Sequence, residues 1–359
     1  MRDLFLRIIR SGVLIPDKNA LQPNTDWTAI YALAVQHGLL PIIIDGIERL
    51  PEAYRPPKEM LLKWIGEVLQ NESQNVSQKK VAREMAELFH DNYIKTYVLK
   101  GEVIAECYPK PNHRNSVDMD CYLKPVNSDF DAWALGNDLI KGKGYQVNTD
   151  FYKNSTFLLP GLTVENHQYL TPFRGNRKLK ALESLLQSLL HRDEGESKFD
   201  ETWLYRPPVI VSALFLIEHA YSHFLHEGLT WRMVLDWVMF WKRHDDDINW
   251  NDFYAYIDEF GFRKFYDSFS RLGQYLNGEV QEAQSLRSSS LSKKDKMMLE
   301  DVWAPLDVHE TVRGIKGKLA LAGNTWRARW KYRYFTDMNW LSALWIQVKG
   351  FLFDKTPTL

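Results

Sequence analysis

YVLKGEVIAECYPKPNHRNSVDMDCYL, residues 97–123, holds more structural signal than any other part of the chain. It opens with an apolar strand over 97–99 that runs straight into Lys100 and Gly101. A helix over 102–108 follows, stopped by Pro109 and Pro111, since proline neither donates to a helix nor fits inside one. A second strand over 117–123 then carries Asp118 and Asp120. Side chains alternate along a strand, so the two carboxylates share one face while Val117, Met119 and Cys121 point into the core. Two carboxylates side by side stay ionised together only when a cation joins them. Mg²⁺ suits that task, because it takes oxygen ligands from one or two carboxylates and from substrate phosphates. An isolated Asp-x-Asp is also a common surface feature, so the order of the flanking elements carries the weight.

That order is strand, Lys-Gly turn, helix, and a strand bearing the pair. Nucleotidyltransferases of the DNA polymerase β type use the same order. More closely, the segment resembles a bacterial nucleotidyltransferase-like family whose signature is L-K-G, a helix, Y-P-x-P, then R-x-x-x-D-x-D. Here these are Leu99-Lys100-Gly101, Tyr108-Pro109-Lys110-Pro111, and Arg114 through Asp118 and Asp120. QHGLLPIIIDGIERL upstream (36–50) and HAYSHFLHEGLTWRMVLDW downstream (219–237) are also similar to that family. The resemblance covers most of residues 27–260.

It implies an α+β fold, a small mixed β-sheet core of the polymerase β-like kind with helical flanks at both ends. It also implies an Mg²⁺ (or Mn²⁺) site on Asp118, Asp120 and a third carboxylate. The family pattern for that third group is E-x-H, matched by Glu165-Asn166-His167 in a strand over 162–166. Alternation puts His167 on the face of Glu165, where it orients the carboxylate; an apolar residue would pack better than Asn166. The implied substrate is a nucleoside triphosphate (NTP), with Lys100, Gly101 and Arg114 at its phosphates.

The chain has 359 residues and 45% apolar content, enough for a substantial core in two or three subdomains. Lys plus Arg (45) and Asp plus Glu (46) nearly cancel, so no global field draws it to nucleic acid. Two cysteines, Cys107 and Cys121, make neither a disulfide framework nor a four-thiolate zinc site. No signal peptide is evident and no apolar run is long enough to span a bilayer, which reads as cytoplasmic.

Residues 1–92 read as helices. Asp26 caps a helix that ends near Gly38, the segment 39–50 is buried, and a long polar-faced helix runs over 58–90. The catalytic core is expected over 93–175, with a helix near 129–141, strands over 145–148 and 156–159, and a Pro160-Gly161 hairpin turn. From 176 to 300 the pattern is helical again, with an exposed acidic loop over 192–201. His219 and His223 stand at i and i+4, a zinc-ligand spacing without a third ligand or an intervening Glu. Contact with substrate or a buried hydrogen-bond partner is the better reading. Arg232 and Asp236 have ion-pair spacing on the next helix, and in the family pattern these two helices recur together, which places them beside the cleft.

The tail, 301–359, is basic and aromatic. Between 311 and 333 lie Arg313, Lys316, Lys318, Arg327, Arg329, Lys331 and Arg333 with no acidic residue, interleaved with Trp326, Trp330 and Tyr332. Residues 311–334 are therefore the one place where nucleic acid or an anionic membrane surface could bind; a packed terminal helix pair with a solvated basic edge is the plainer reading. The functional expectation is transfer of a nucleotidyl group to a hydroxyl of a small molecule or a protein. The rivals are a silent nucleotide-binding protein of the same fold, or an adaptor acting through the tail.

Overall fold

The computed structural model describes residues 1–14, 25–126, 129–173, 175–192, 194–278, 290–304 and 326–345. Helices α1 (Arg2–Val13), α2 (Trp27–Gln36), α3 (Leu40–Glu48) and the long α4 (Lys58–His90) come first. The sheet region holds β1 (Ile94–Val98), α5 (Glu102–Ala105), β2 (Asp118–Pro125), α6 (Ala132–Gly142), β3 (Val147–Asn148), β4 (Asn154–Leu159) and β5 (Leu162–His167). Then follow α7 (Arg177–His191), β6 (Ser197–Lys198), β7 (Leu204–Arg206), α8 (Val209–His226), α9 (Trp231–His244), α10 (Trp250–Glu259), α11 (Arg263–Asn277), α12 (Lys293–Trp303) and α13 (Arg329–Phe335). The fold is α+β: one mixed sheet with helical flanks.

The sheet order is β3-β4-β5-β2-β1-β7-β6. β2 is central, antiparallel to β1 and parallel to β5, and β7 joins β1 in parallel. Two residues of the β4–β5 hairpin explain its tightness: Pro160 presets one turn angle and Gly161 takes φ +74°, which a side chain would disfavour. The face of β2 that carries Leu123 packs on α4 and α6, so closely that a methyl on Gly136 would overlap the Leu123 side chain. The opposite face, with Asp120, Tyr122 and Lys124, looks toward α7 and α8. There Lys124 Nζ donates to the Leu190 carbonyl at 3.0 Å, and the His167 ring meets Phe215 edge-on.

The N-terminal helices lock onto this body by close approach. α1 and α3 cross at Gly12 and Gly46, where Cβ atoms would collide with the Ile42 and Ile8 carbonyl oxygens respectively. Asp26 caps α2 through Ala29 N (3.0 Å), as its position predicts. At the other end of α2, His37 is fully buried between Phe5 and Trp303 and accepts the Trp231 backbone N–H at Nδ1 (3.3 Å). Burial without a countercharge pushes its imidazole down to about 4.

Several sequence expectations need correction. Val117 does not face the core: it precedes β2 and is 73% exposed, because the strand starts only at Asp118. The helix after Gly101 is a single turn, 102–105, and the chain then coils to Tyr108. The stretch 192–201 is not only an exposed loop: it contains the short β6, which pairs with β7 just beyond it and extends the sheet past β1. Finally, among the described residues α8 is long and apolar enough to cross a membrane, and 61% of it lies buried inside the molecule. In the tail, Arg313, Lys316, Lys318 and residues 346–353 lie outside the described residues. Lys331 is not a solvated base at all: it is buried, 2.8 Å from Asp301, and donates to the Phe224 carbonyl.

Candidate functional site

The pairing of β2 with β5 aligns Asp120 with Glu165 and Tyr122 with His167. Alternation then gathers Asp120, Glu165 and His167 on one face. His167 Nε2 lies 3.2 Å from Asp120 Oδ1 and 3.7 Å from Glu165 Oε2. Each of the three offers a ligand atom within 4.8 Å of the others. Asn166 points to the opposite side, where sequence patterning favours an apolar residue. A buried polar group meets its nitrogen there: Asn166 Nδ2 donates to Asn137 Oδ1 (3.0 Å), which also accepts from Ser155 Oγ at 2.6 Å, while Asn166 Oδ1 and Asn137 Nδ2 make no hydrogen bond among the described residues.

Lys100, in the turn after β1, points at the same spot. Its Nζ is 3.3 Å from Asp120 Oδ2 and 3.0 Å from His219 Nε2. Burial opposes charge on Asp120, but Lys100 and then His167 outweigh it and hold the carboxyl well below its usual range. Glu165 goes the other way, raised by burial and by the charge of Asp120 beside it. Its Oε2 accepts from Asn154 Nδ2 at 2.7 Å, and the side chain keeps 35% exposure. His219 is held neutral by burial and by the Lys100 ammonium. These opposed shifts set two neighbouring carboxylates to different tasks.

Asp120 Oδ2 is buried and has no hydrogen-bond partner among the described residues. Its countercharge is the Lys100 ammonium; the oxygens of Asp120 and Glu165 fit a small hard divalent cation such as Mg²⁺ or Mn²⁺, with the His167 imidazole beside them. Asp118 is not in this donor group. It shares the Asp120 side of β2 but sits one step outward, lining a neighbouring cleft with Lys100 and Ser116.

Gly101 adopts φ +63°, which lets the Lys100 turn reverse against the loop before β2. That loop is fixed by Ser116 Oγ, which donates to the Asp118 carbonyl (3.0 Å). Arg114 is buried and forks onto Asp236 of α9, while Tyr108 Oη donates to the same carboxylate at 2.7 Å. Arg232 therefore does not make the ion pair its spacing suggests; its Nη1 donates to the Asn115 carbonyl (3.2 Å). His223 stacks edge-on against His219 and pairs with Glu227 at 2.7 Å. Lys100, Glu165, His167 and His219 thus meet around Asp120, whereas Arg114, Arg232 and Asp236 brace the adjoining loop.

Pattern reasoning missed Ser116, Asn154, Lys153 and Glu218. Lys153 lies close enough to offset part of the burial effect on Glu165 and on the wholly buried Glu218. Its one sequence signal was its place just before the strand that pairs with Glu165.

With this geometry in hand, comparison with known proteins yields one match. A family model described as uncharacterised nucleotidyltransferase matches residues 23–276. No curated protein and no solved structure matches the chain. The matched span takes in the whole donor group, the Lys100 turn and the bracing helix α9. The chain belongs to this family of uncharacterised nucleotidyltransferases.

Proposed function

We propose that the protein transfers a nucleoside monophosphate from an NTP to a hydroxyl group of a small molecule or a protein side chain. The observation that carries this reading is the convergence of Asp120, Glu165 and His167 around a buried carboxylate oxygen that makes no hydrogen bond among the described residues and faces the Lys100 ammonium. Asp120 and Glu165, with Asp118 one step outward, would hold Mg²⁺ or Mn²⁺, which supplies Lewis-acid stabilisation to phosphoryl oxygens. Lys100 offers its ammonium to the phosphates and Gly101 lets the backbone approach them. Glu165, half open and with raised proton affinity, accepts the proton of the attacking hydroxyl. That oxygen bonds to the α-phosphorus as the bond to pyrophosphate breaks. His167 and Asn154 orient the two carboxylates. Residues 93–175 form the catalytic unit in this reading, and dependence on NTP places the reaction in the cytoplasm.

The test is labelling. Protein, Mn²⁺ or Mg²⁺ and each α-labelled NTP are incubated with host extract beside an Asp120→Asn control. Label on a small molecule or protein with wild type alone supports transfer and identifies the acceptor class. Label on neither counts against it.

One observation favours a second reading, a silent nucleotide-binding protein. The Lys100 ammonium already stands at ion-pair distance from Asp120, so the carboxylate has one countercharge of its own. NTP binding without transfer to any acceptor would favour that alternative.

A further inference from the structure

A cleft of about 550 Å³, solvent at its mouth included, opens between α4 and the Lys100–Gly101 turn. Most of that space is open to solvent, so the cleft is a shallow slot along the strand rather than an enclosed cavity. Both Asp118 and Met119 line it, and they sit on opposite faces of β2, so the cleft wraps around the start of that strand. Its deep wall is apolar, built by Ala82, Val98 and Met119. Lys100 and Asp118 connect it to the donor group described above. An apolar slot that opens onto a cation-binding carboxylate cluster suits a flat heteroaromatic ring joined to a chain of phosphates.

The rim carries two amides on α4. Asn75 Nδ2 donates to the Asn112 carbonyl at 3.0 Å, and Gln78 Nε2 donates to the Gly161 carbonyl at 2.9 Å. Of the two ends of a side-chain amide only the NH₂ can donate to a carbonyl, so these contacts assign which end of each amide is nitrogen. Asn75 Oδ1 and Gln78 Oε1 then carry no hydrogen bond among the described residues, and the rim presents acceptors. We propose that this cleft seats the base of the NTP, and that the Asn75 and Gln78 oxygens select a base with an exocyclic amino group over uracil. The inference rests on the nucleotidyl-transfer reading and adds to it the base seat and the class of base.

The experiment is calorimetry with Mg²⁺ and three probes: ATP, UTP and inorganic tripolyphosphate, the last having phosphates and no base. The proteins are wild type, Ala82→Phe, which fills the slot, and the Asn75→Ala/Gln78→Ala double variant. The expected result is that Ala82→Phe weakens ATP binding at least about tenfold and leaves tripolyphosphate unchanged, a selective loss of about 1.4 kcal/mol. The double variant narrows the preference for ATP over UTP. Should Ala82→Phe fail to fold, the double variant decides alone. Equal binding of ATP and tripolyphosphate by wild type, or an ATP/UTP ratio unmoved in the double variant, overturns the base seat and leaves the transfer reading standing. If wild type binds none of the three probes, the transfer reading falls and the base seat with it.

Discussion

Arg114 and Asp236 meet as a buried two-pronged pair, Nη2 2.8 Å from Oδ2 and Nε 3.2 Å from Oδ1. The pair joins the loop that leads into β2 to α9, 122 residues later in the chain. Burial opposes both charges, yet each partner keeps the other ionised: Arg114 is driven up and Asp236 down. Removing one member strands the other in the interior. Arg114→Leu or Asp236→Leu alone is expected to destabilise the fold by about 3–5 kcal/mol, whereas the double variant loses much less than the sum. A denaturant double-mutant cycle measures this, and additive losses would show that the pair is not coupled.

The donor group predicts an order among the acidic residues. Mn²⁺ affinity, followed by the paramagnetic resonance of free ion, should fall most in Asp120→Asn, next in Glu165→Gln and least in Asp118→Asn. His167→Ala, which removes the group that orients Asp120, is expected to lower affinity about 10–100-fold. Equal losses in Asp118→Asn and Asp120→Asn would put Asp118 among the direct ligands.

His37 gives the fold a dependence on acid. Its folded value, about 4, lies below the ordinary value of 6.5. The unfolded chain therefore binds this proton first as pH falls. The stabilisation is complete above pH 6.5, declines between 6.5 and 4, and is gone below. Its size is about 3 kcal/mol as an upper bound. His37→Asn keeps an acceptor near the Trp231 N–H but cannot titrate there, so its unfolding free energy should vary less between pH 7 and pH 4.5 than that of wild type. An identical pH slope in the two proteins would remove His37 as the cause.

Two glycines at the α1–α3 crossing and one in α4 should respond oppositely to the same substitution. Gly12→Ala and Gly46→Ala drive a methyl into backbone carbonyls, which cannot step aside as side chains do; a loss of at least about 2 kcal/mol is expected. Gly66 is exposed in mid-helix with nothing near its missing Cβ, so Gly66→Ala should gain about 0.5–1 kcal/mol. Thermal midpoints of the three variants check the contrast.

Much of the sheet and its helices is written locally in the sequence. α4 runs over the long polar-faced stretch 58–90 that follows Pro56 and Pro57, and Asp26 caps where its type and place require. Period-two alternation put Asp118 with Asp120 on one face of their strand and Glu165 with His167 on one face of theirs; the resemblance, not alternation, joined the two. What alternation could not supply was partners from distant elements. Nothing near Asp236 in the chain favours Arg114 over Arg232, and the choice is made by where α9 docks. β6 and β7 were hidden for another reason: two and three residues give no period to read, and sequence neighbours such as Glu194, Glu196 and Asp200 resemble a loop. Val117 misled because alternation says which face a residue takes but not where the strand begins.

The parallel register of β2 against β5 has a consequence for how such a site can change. Asp120, Glu165 and His167 occupy one face only while Met119, Val164 and Asn166 occupy the other. Moving either strand along by a single residue would send its acids into the apolar layer and its apolar residues into the cleft. The chemistry and the interior therefore share one setting, with no intermediate position in which the molecule folds well but its acids drift slightly apart. A descendant of this protein can lose its acids one by one through replacement, leaving the architecture intact. It cannot lose them by gradual loosening of the frame.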